Sequence, residues 1–364
     1  MRHRLPPGHR VCMKMMRNQH SVKLLRDEGN RSQLDAFLRE VLVLAQLSRH
    51  SSKARVTKLL AFFMDPSEAM DSKISRLPRA IITPHYSLTL KQFVEIRHQE
   101  REHQTPPFLW APDAMTLISM FREICFTMKE CHALNVIHGS LNPETIFLEL
   151  IYDRGQNLYK TVVGGFSDCY FTEEASLQAA KCTSTLPAHV FPLYFLSPET
   201  LSERFVLDAE GQLRFCSPVS TMARQQGPAD RARELKRDVY SFGMMMAYVA
   251  SRELPQFQRI TQDPEAEMDK SDSMSTLFGN AEKKVRLLHE TTIVAIEKHM
   301  AQLEDPDGFI DMIEGCLGEI HTRPSFETLT TELKYFRRKS AKQSSQQPSR
   351  VTLTRKARKL KPTE

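Results

Sequence analysis

The feature that most constrains this chain is a change of hydrophobic period at Pro84. Before it, apolar residues come in short runs: Val11 to Met16, broken by one lysine, then Val56–Phe63 and Ala80–Thr83. Runs this short, rich in β-branched and aromatic residues, predict strands. Between the first two lies Gln33 to Leu47, where Leu34, Phe37, Leu38, Val41, Leu44 and Ala45 recur at helical spacing. After Pro84 the helical period dominates, in Met115–Leu134, Asp238–Ser251 and Gly308–Leu317. Strands first and helices afterwards is the pattern of an α+β protein with two unequal lobes. At 364 residues and 41% hydrophobic, the chain can bury the core this needs.

The net charge of +6 is not evenly spread. Arg337 to Glu364 carries ten Lys/Arg and one acid, so residues 1–336 are mildly acidic, at −3. That basic tail, with Ser344-Ser345-Gln346-Gln347-Pro348-Ser349 ahead of its densest cluster, has too few apolar residues for a core and is expected to be disordered in isolation. It suits a nuclear-localisation signal, an anionic-membrane contact, a nucleic-acid contact, or no function beyond a solvated end. No aromatic residue interleaves with its cations, which argues against base stacking. Three stretches read as insertions: 153–158 as the turn of a lengthened hairpin, 205–232 as a second hairpin with a polar loop, and 260–285, acid-rich from Gln262 to Asp272. Residues 1–10 read as a flexible lead-in. The seven cysteines are scattered, with no C-x-x-C, which suits reduced and mostly buried thiols. Met1-Arg2-His3-Arg4 is not followed by an apolar leader, and no apolar run reaches membrane-spanning length. A cytoplasmic or nuclear protein is the expectation.

Seven separated motifs then occur in a telling order. They are Cys12-Met13-Lys14; Phe37-Leu38-Arg39-Glu40; His138-Gly139-Ser140-Leu141-Asn142-Pro143-Glu144-Thr145; Gly165-Phe166-Ser167; Ser197-Pro198-Glu199; Asp238-Val239-Tyr240-Ser241-Phe242-Gly243; and Arg323-Pro324-Ser325-Phe326. In this order they resemble a protein-kinase domain running from about Val11 to Phe336. The resemblance implies a bilobal fold, with a reduced β-rich N-lobe over 11–83 and a helical C-lobe over 84–336. Ile146-Phe147-Leu148 and Ser197-Pro198-Glu199 lean toward NIMA-related kinases, and Tyr240-Ser241-Phe242-Gly243 toward tyrosine-kinase-like ones. No subfamily is assigned.

What the resemblance implies about chemistry is mostly loss. Phosphoryl transfer needs positioning, metal-borne charge neutralisation and a group that orients the hydroxyl nucleophile. Ser140 stands where the catalytic aspartate belongs, Asn142 where a phosphate-meeting lysine belongs, and Thr145 where a magnesium-binding asparagine belongs. Gly165 replaces the metal-binding aspartate of D-F-G. Loss of the general base alone removes roughly 10²–10⁴ in rate. Only thirteen residues precede Lys14 in this sequence, so the glycine-rich hairpin that covers ATP is expected to be missing, the alternative being a longer N-terminus. Asp168, three residues past Gly165, is a minor substitute metal ligand if the backbone shifts, and otherwise a solvent-facing carboxylate. Lys14 and Glu40 would either position phosphates or pin a helix to the sheet. Cys12, Thr83 and Phe147 would line a nucleotide pocket, while Pro84 removes a backbone donor from its hinge. Leu44, Leu59, His138 and Phe166 match the apolar column that joins the lobes, with Asp238 at its base. Glu199 and Arg323 match a partly buried brace.

The expected function is therefore that of a catalytically inactive kinase-like protein, a scaffold or allosteric regulator with protein partners, an active kinase among the candidates. No cofactor is required on this reading, and ATP binding would be weak or metal-independent. The alternative is a divergent ATP-binding Ser/Thr kinase with residual activity.

Overall fold

A computed structural model describes residues 10–15, 28–50, 54–64, 78–86, 88–95, 114–153, 156–171, 191–207, 213–215, 228–252, 257–258, 286–288 and 290–337. Strand β1 (Val11–Met15), helix α1 (Glu28–His50) and strands β2 (Ala61–Met64) and β3 (Pro78–Pro84) form its first part. β3 is central, with β1 antiparallel on one side (Cys12↔Thr83, Lys14↔Ile81) and β2 antiparallel on the other (Phe62↔Ile81). Period-2 alternation buries Ile81 completely while Ile82 on the opposite face stays half-buried. Helix α1 buries Phe37, Val43, Leu44 and Leu47 on one stripe and leaves Leu38 and Leu42 exposed.

The strand expected at 56–63 is split. Residues 61–64 join the first sheet, but 55–57 pair elsewhere: Thr57 donates to the Val163 carbonyl and Val163 to that of Arg55, both at 2.8 Å. Backbone groups already bonded to Val163 cannot also extend β2, so residues 58–59 cross from one sheet to the other, and Leu60 N already donates to the Ile82 carbonyl at 2.9 Å.

Past Pro84 the chain is less purely helical than its periodicity predicts. Strands β4 (Leu88–Thr89), β6 (Ile146–Asp153) and β7 (Gln156–Val163) make a second antiparallel sheet in the order β4-β6-β7. The hairpin expected around 153–158 is present, its register running from Ile146↔Val163 to Asp153↔Gln156. The second expected hairpin also forms, β9 (Phe205–Leu207) with β10 (Leu213–Phe215). Between these lie α2 (Ala114–Ala133), the short strands β5 (Val136–Ile137) and β8 (Tyr170–Phe171), and α3 (Pro198–Arg204).

Helix α4 spans Pro228–Ser251, so it begins ten residues before the Asp238 start predicted from apolar periodicity and takes in the end of the expected 205–232 insertion. Proline tolerates the first turn because its missing N–H has no intrahelical partner there. The charged stretch behind it carries no apolar stripe. It is held instead by ionic contacts such as Arg237–Glu234 at 2.9 Å, both nearly buried. Helices α5 (Glu290–Met300), α6 (Pro306–Leu317) and α7 (Phe326–Glu332) complete the described fold. Asp305 caps α6 by accepting from the Gly308 N–H at 2.8 Å, and Ser325 caps α7 by accepting from Thr328 at 3.1 Å. Helix α4 meets α6 at Gly243, where an added Cβ would lie 2.5 Å from the Cβ of Cys316.

The main core joins α2, α4 and α6 through aromatic contacts, with Phe121 edge-on to Phe242 at 6.1 Å and stacked near Phe309 at 6.0 Å. Cys125, Cys131, Cys169 and Cys316 are buried free thiols, while Cys12 on β1 is exposed. No helix among the described residues is long and apolar enough to cross a membrane. Residues 1–9, 172–190, 260–285 and 338–364 lie outside the described residues.

Candidate functional site

Two loops converge beneath the first sheet. The first, 138–145, follows α2 and β5; the second, 164–168, follows β7. Pairing of β5 with β8 (Val136↔Phe171, Ile137↔Tyr170) ties the start of one loop to the end of the other. The first loop is anchored from below by Asp238 on α4. Its carboxylate accepts from the backbone N–H of His138 at 2.8 Å and of Gly139 at 3.0 Å, and contacts His132 Nε2 at 3.0 Å. Gly139 has φ 74°, a left-handed turn that glycine adopts without strain.

The His138 ring is fully buried. Its Nε2 donates to the Gly164 carbonyl at 2.8 Å, its Nδ1 accepts from Ser140 N at 3.4 Å, and it lies 4.8 Å from the Phe166 ring. Burial lowers the imidazole below its ordinary value, so the ring is neutral and one nitrogen is free to accept. For Asp238, burial pushes the carboxyl up, but His132 and the neighbouring donors outweigh it and hold the group below the usual carboxylate range.

Asn142 and Thr145 spend their side chains on the loop itself. Asn142 Nδ2 donates to the Ser140 carbonyl and its Oδ1 accepts from Glu144 N, both at 2.8 Å. Thr145 Oγ1 accepts from Asn142 N at 3.1 Å and donates to Asn142 O at 2.8 Å. These groups close a turn.

On the facing loop, Gly165 has φ 73° and ψ 40°. A Cβ there would lie 2.6 Å from the Thr145 methyl, so the two positions face each other without room for a further side chain. At Gly164 a Cβ would meet Thr57 Oγ1 at 2.4 Å and the Phe147 ring at 2.5 Å. Phe147 in turn stacks on Tyr86, with ring centres 5.1 Å apart and planes within 15°. Burial, reinforced by Glu149, pushes the Tyr86 phenol up to about 12. Thr57, Gly164, Phe147 and Tyr86 therefore close up the space beside Gly165. Phe147 had been expected beside a pocket, whereas Thr57 gave no sequence signal because its contacts cross more than a hundred residues.

Above, Lys14 Nζ lies 2.5 Å from Glu40 Oε2 and 2.6 Å from Ser167 Oγ. Glu40 is buried; the lysine side chain keeps 47% of its surface. The expected Lys14–Glu40 pair is made, and Ser167 adds a tie to the turn of Phe166–Asp168 that no local pattern announced. Cys12 and Thr83 face each other across β1 and β3, with Cys12 exposed and Thr83 half-buried. Leu44 and Phe166 share one core, with Leu59 packed against it, and α1 rests on the Phe166–Asp168 turn.

Away from these loops, Arg323 Nη2 meets Glu199 Oε1 at 2.7 Å. The guanidinium also donates to the carbonyls of Gly318 at 2.9 Å and Lys236 at 3.3 Å, and it lies 4.9 Å from the centre of the Tyr240 ring. Burial pushes the Glu199 carboxyl up, and Arg323 more than reverses this, leaving it below its ordinary value.

Chemically the described residues of these loops and of β1 offer Lys14, a partly exposed cation, hydroxyls at Ser140 and Ser167, and the half-buried Asp168. Among the described residues no group of three or more His, Cys, Asp and Glu is placed to hold a metal ion. The sequence matches no protein-family model and no curated protein.

Proposed function

We propose that this chain is a kinase-like protein without phosphotransfer activity, a pseudokinase whose role is to bind other proteins as scaffold or allosteric regulator. The reading draws on the order of its sequence motifs. The observation that carries it is the contact of Gly165 with Thr145. In a phosphotransferase these two positions would hold the metal that neutralises the transferred phosphate. Here one has no side chain, a Cβ added to it would lie 2.6 Å from the other's methyl, and the other's hydroxyl is engaged in its own turn. The neighbouring bonds favour binding over turnover. Lys14 is tied to Glu40 and Ser167, and Asp238 fixes the 138–145 loop, so the frame is braced while the acid–base and metal-binding groups are absent from positions 140, 145 and 165.

A thermal-shift titration of the 364-residue chain with ATP, with and without Mg²⁺ or Mn²⁺, tests this, with Lys14→Ala as control. The expected result is no metal-dependent stabilisation. A working site at a hundredfold excess of ligand over Kd would add about 2.7 kcal/mol. A metal-dependent shift that disappears in Lys14→Ala would overturn the proposal.

One observation favours a second reading, a divergent Ser/Thr kinase. Asp168 sits on the same turn as Ser167, the residue bonded to Lys14, and its charge acts on His138. On that reading Asp168 holds the metal, and magnesium-dependent autophosphorylation would vanish in Asp168→Asn.

A further inference from the structure

We propose that the basic segment 338–364 docks, within the same molecule, in an acidic groove formed by α6, the end of α7 and the turn before α6. The groove encloses about 510 Å³. Four carboxylates ring it: Glu304 and Asp305 ahead of α6, Asp311 on α6 and Glu332 at the end of α7. Asp305 also caps its helix. Among the described residues no ion pair engages any of the four, and Arg337 is the one cation in the lining. Met312 and Phe336 add apolar surface, and Tyr335 stands beside them 73% exposed. A Cβ at Gly315 would meet nothing within 4 Å, so the groove is open along this side of α6.

Continuity, charge and pattern point to the same occupant. The Arg337 carbonyl accepts from Glu304 N at 2.9 Å, so the last described residue before the segment lies at the groove's own rim. Residues 338–364 carry nine Lys/Arg against one acid, Glu364. Val351, Leu353 and Leu360 are spaced among those cations, so the segment can set apolar groups on the floor while its charges meet the rim. Reach is no obstacle, since each extended residue spans about 3.3 Å. Tethering also raises the effective concentration of the segment at the groove, which lets individually weak surface ion pairs add up to occupancy. A tail docked in this way is withheld from membranes and nucleic acids.

Zero-length carbodiimide coupling of the full chain tests the contact. Lys356, Lys359 and Lys361 should couple to Glu304, Asp311 or Glu332 within one copy, as a mixture of isotopically light and heavy protein would show, and coupling should fall in high salt. A triple variant, Glu304→Lys with Asp311→Lys and Glu332→Lys, should speed tryptic cleavage at Arg355 to Lys361 by about tenfold. Its melting temperature should fall by no more than the few degrees that losing a docked tail costs, because the three side chains are themselves exposed. It should also bind phosphatidylserine vesicles more tightly than the unaltered chain. Coupling spread over other carboxylates, coupling only between copies, unchanged cleavage, or equal vesicle binding would each overturn the proposal.

Discussion

The proposed absence of phosphotransfer turns on a single residue, Gly165. Its φ of 73° lies where side chains are strained, and the Thr145 methyl fills the space into which a Cβ would project. Restoring a carboxylate by Gly165→Asp is expected to destabilise the fold by about 1–3 kcal/mol, without conferring phosphotransfer, as read from urea midpoints and an ATP turnover assay. Adding Thr145→Ser, which keeps the hydroxyl and removes the methyl, should recover the steric part of that loss. A stability unchanged by Gly165→Asp would mean that the two loops separate easily. The residue types here were legible in the sequence, because the absence of Asp at 140 and 165 can be read from the chain alone. What could not be read was how Asn142 and Thr145 are used, since that depends on the turn they close.

At the level of elements, α3, α4 and the segment before α7 are braced by one buried cation. Arg323 keeps 1% of its side-chain surface and satisfies Glu199 and two carbonyls. Replacing it by Met removes the guanidinium from Glu199 and the two carbonyls, leaving Glu199 only its hydrogen bonds with Ser197 and a backbone N–H. About 3 kcal/mol should be lost, the low end of the range for breaking such a pair, because Glu199 keeps 21% of its surface. Denaturant midpoints check this, and Glu199→Gln in the Arg323→Met background should restore part of the loss. The same scale explains which elements the sequence disclosed. α2 and α6 carry regular apolar stripes and were readable. The first part of α4 was not, because Glu234 and Arg237 are buried as a pair and look like a solvated face in one dimension. α5 begins Glu290-Thr291-Thr292-Ile293-Val294, a β-branched run with Val294 60% exposed, so its stripe was masked. The 56–63 run has strand composition throughout, and only its competing bonds to Val163 break it.

For the molecule as a whole, three buried or braced groups set the response to acid. His138 is held neutral, with its proton affinity depressed by burial. In the unfolded chain an imidazole titrates near ~6.5. Below that pH the unfolded state takes up a proton that the native ring resists, so stability falls as pH falls. Asp238 and Glu199 are held below their ordinary values and act in the same direction lower down. Their contribution is present above about 4 and is lost as pH drops through the folded values. Denaturation midpoints should be flat from about pH 8 to 7, decline below ~6.5 and fall faster below ~4, and His138→Gln should remove the first decline. Stability that rises on acidification from neutrality would contradict this account.

The distribution of sulfur gives the fold a clock of its own. Cys12 lies on an exposed strand, whereas Cys125, Cys131, Cys169 and Cys316 sit inside the helical core, and burial pushes the thiols of Cys125, Cys131 and Cys316 up. Among the described cysteines, a maleimide added to the native protein should modify Cys12 at once and reach the four buried thiols only when helices part. The slow phase of labelling therefore times the opening of the core, with no engineered probe. A partner that clamps α4 onto α6, where Gly243 lies against Cys316, would announce itself by slowing the capture of that one sulfur.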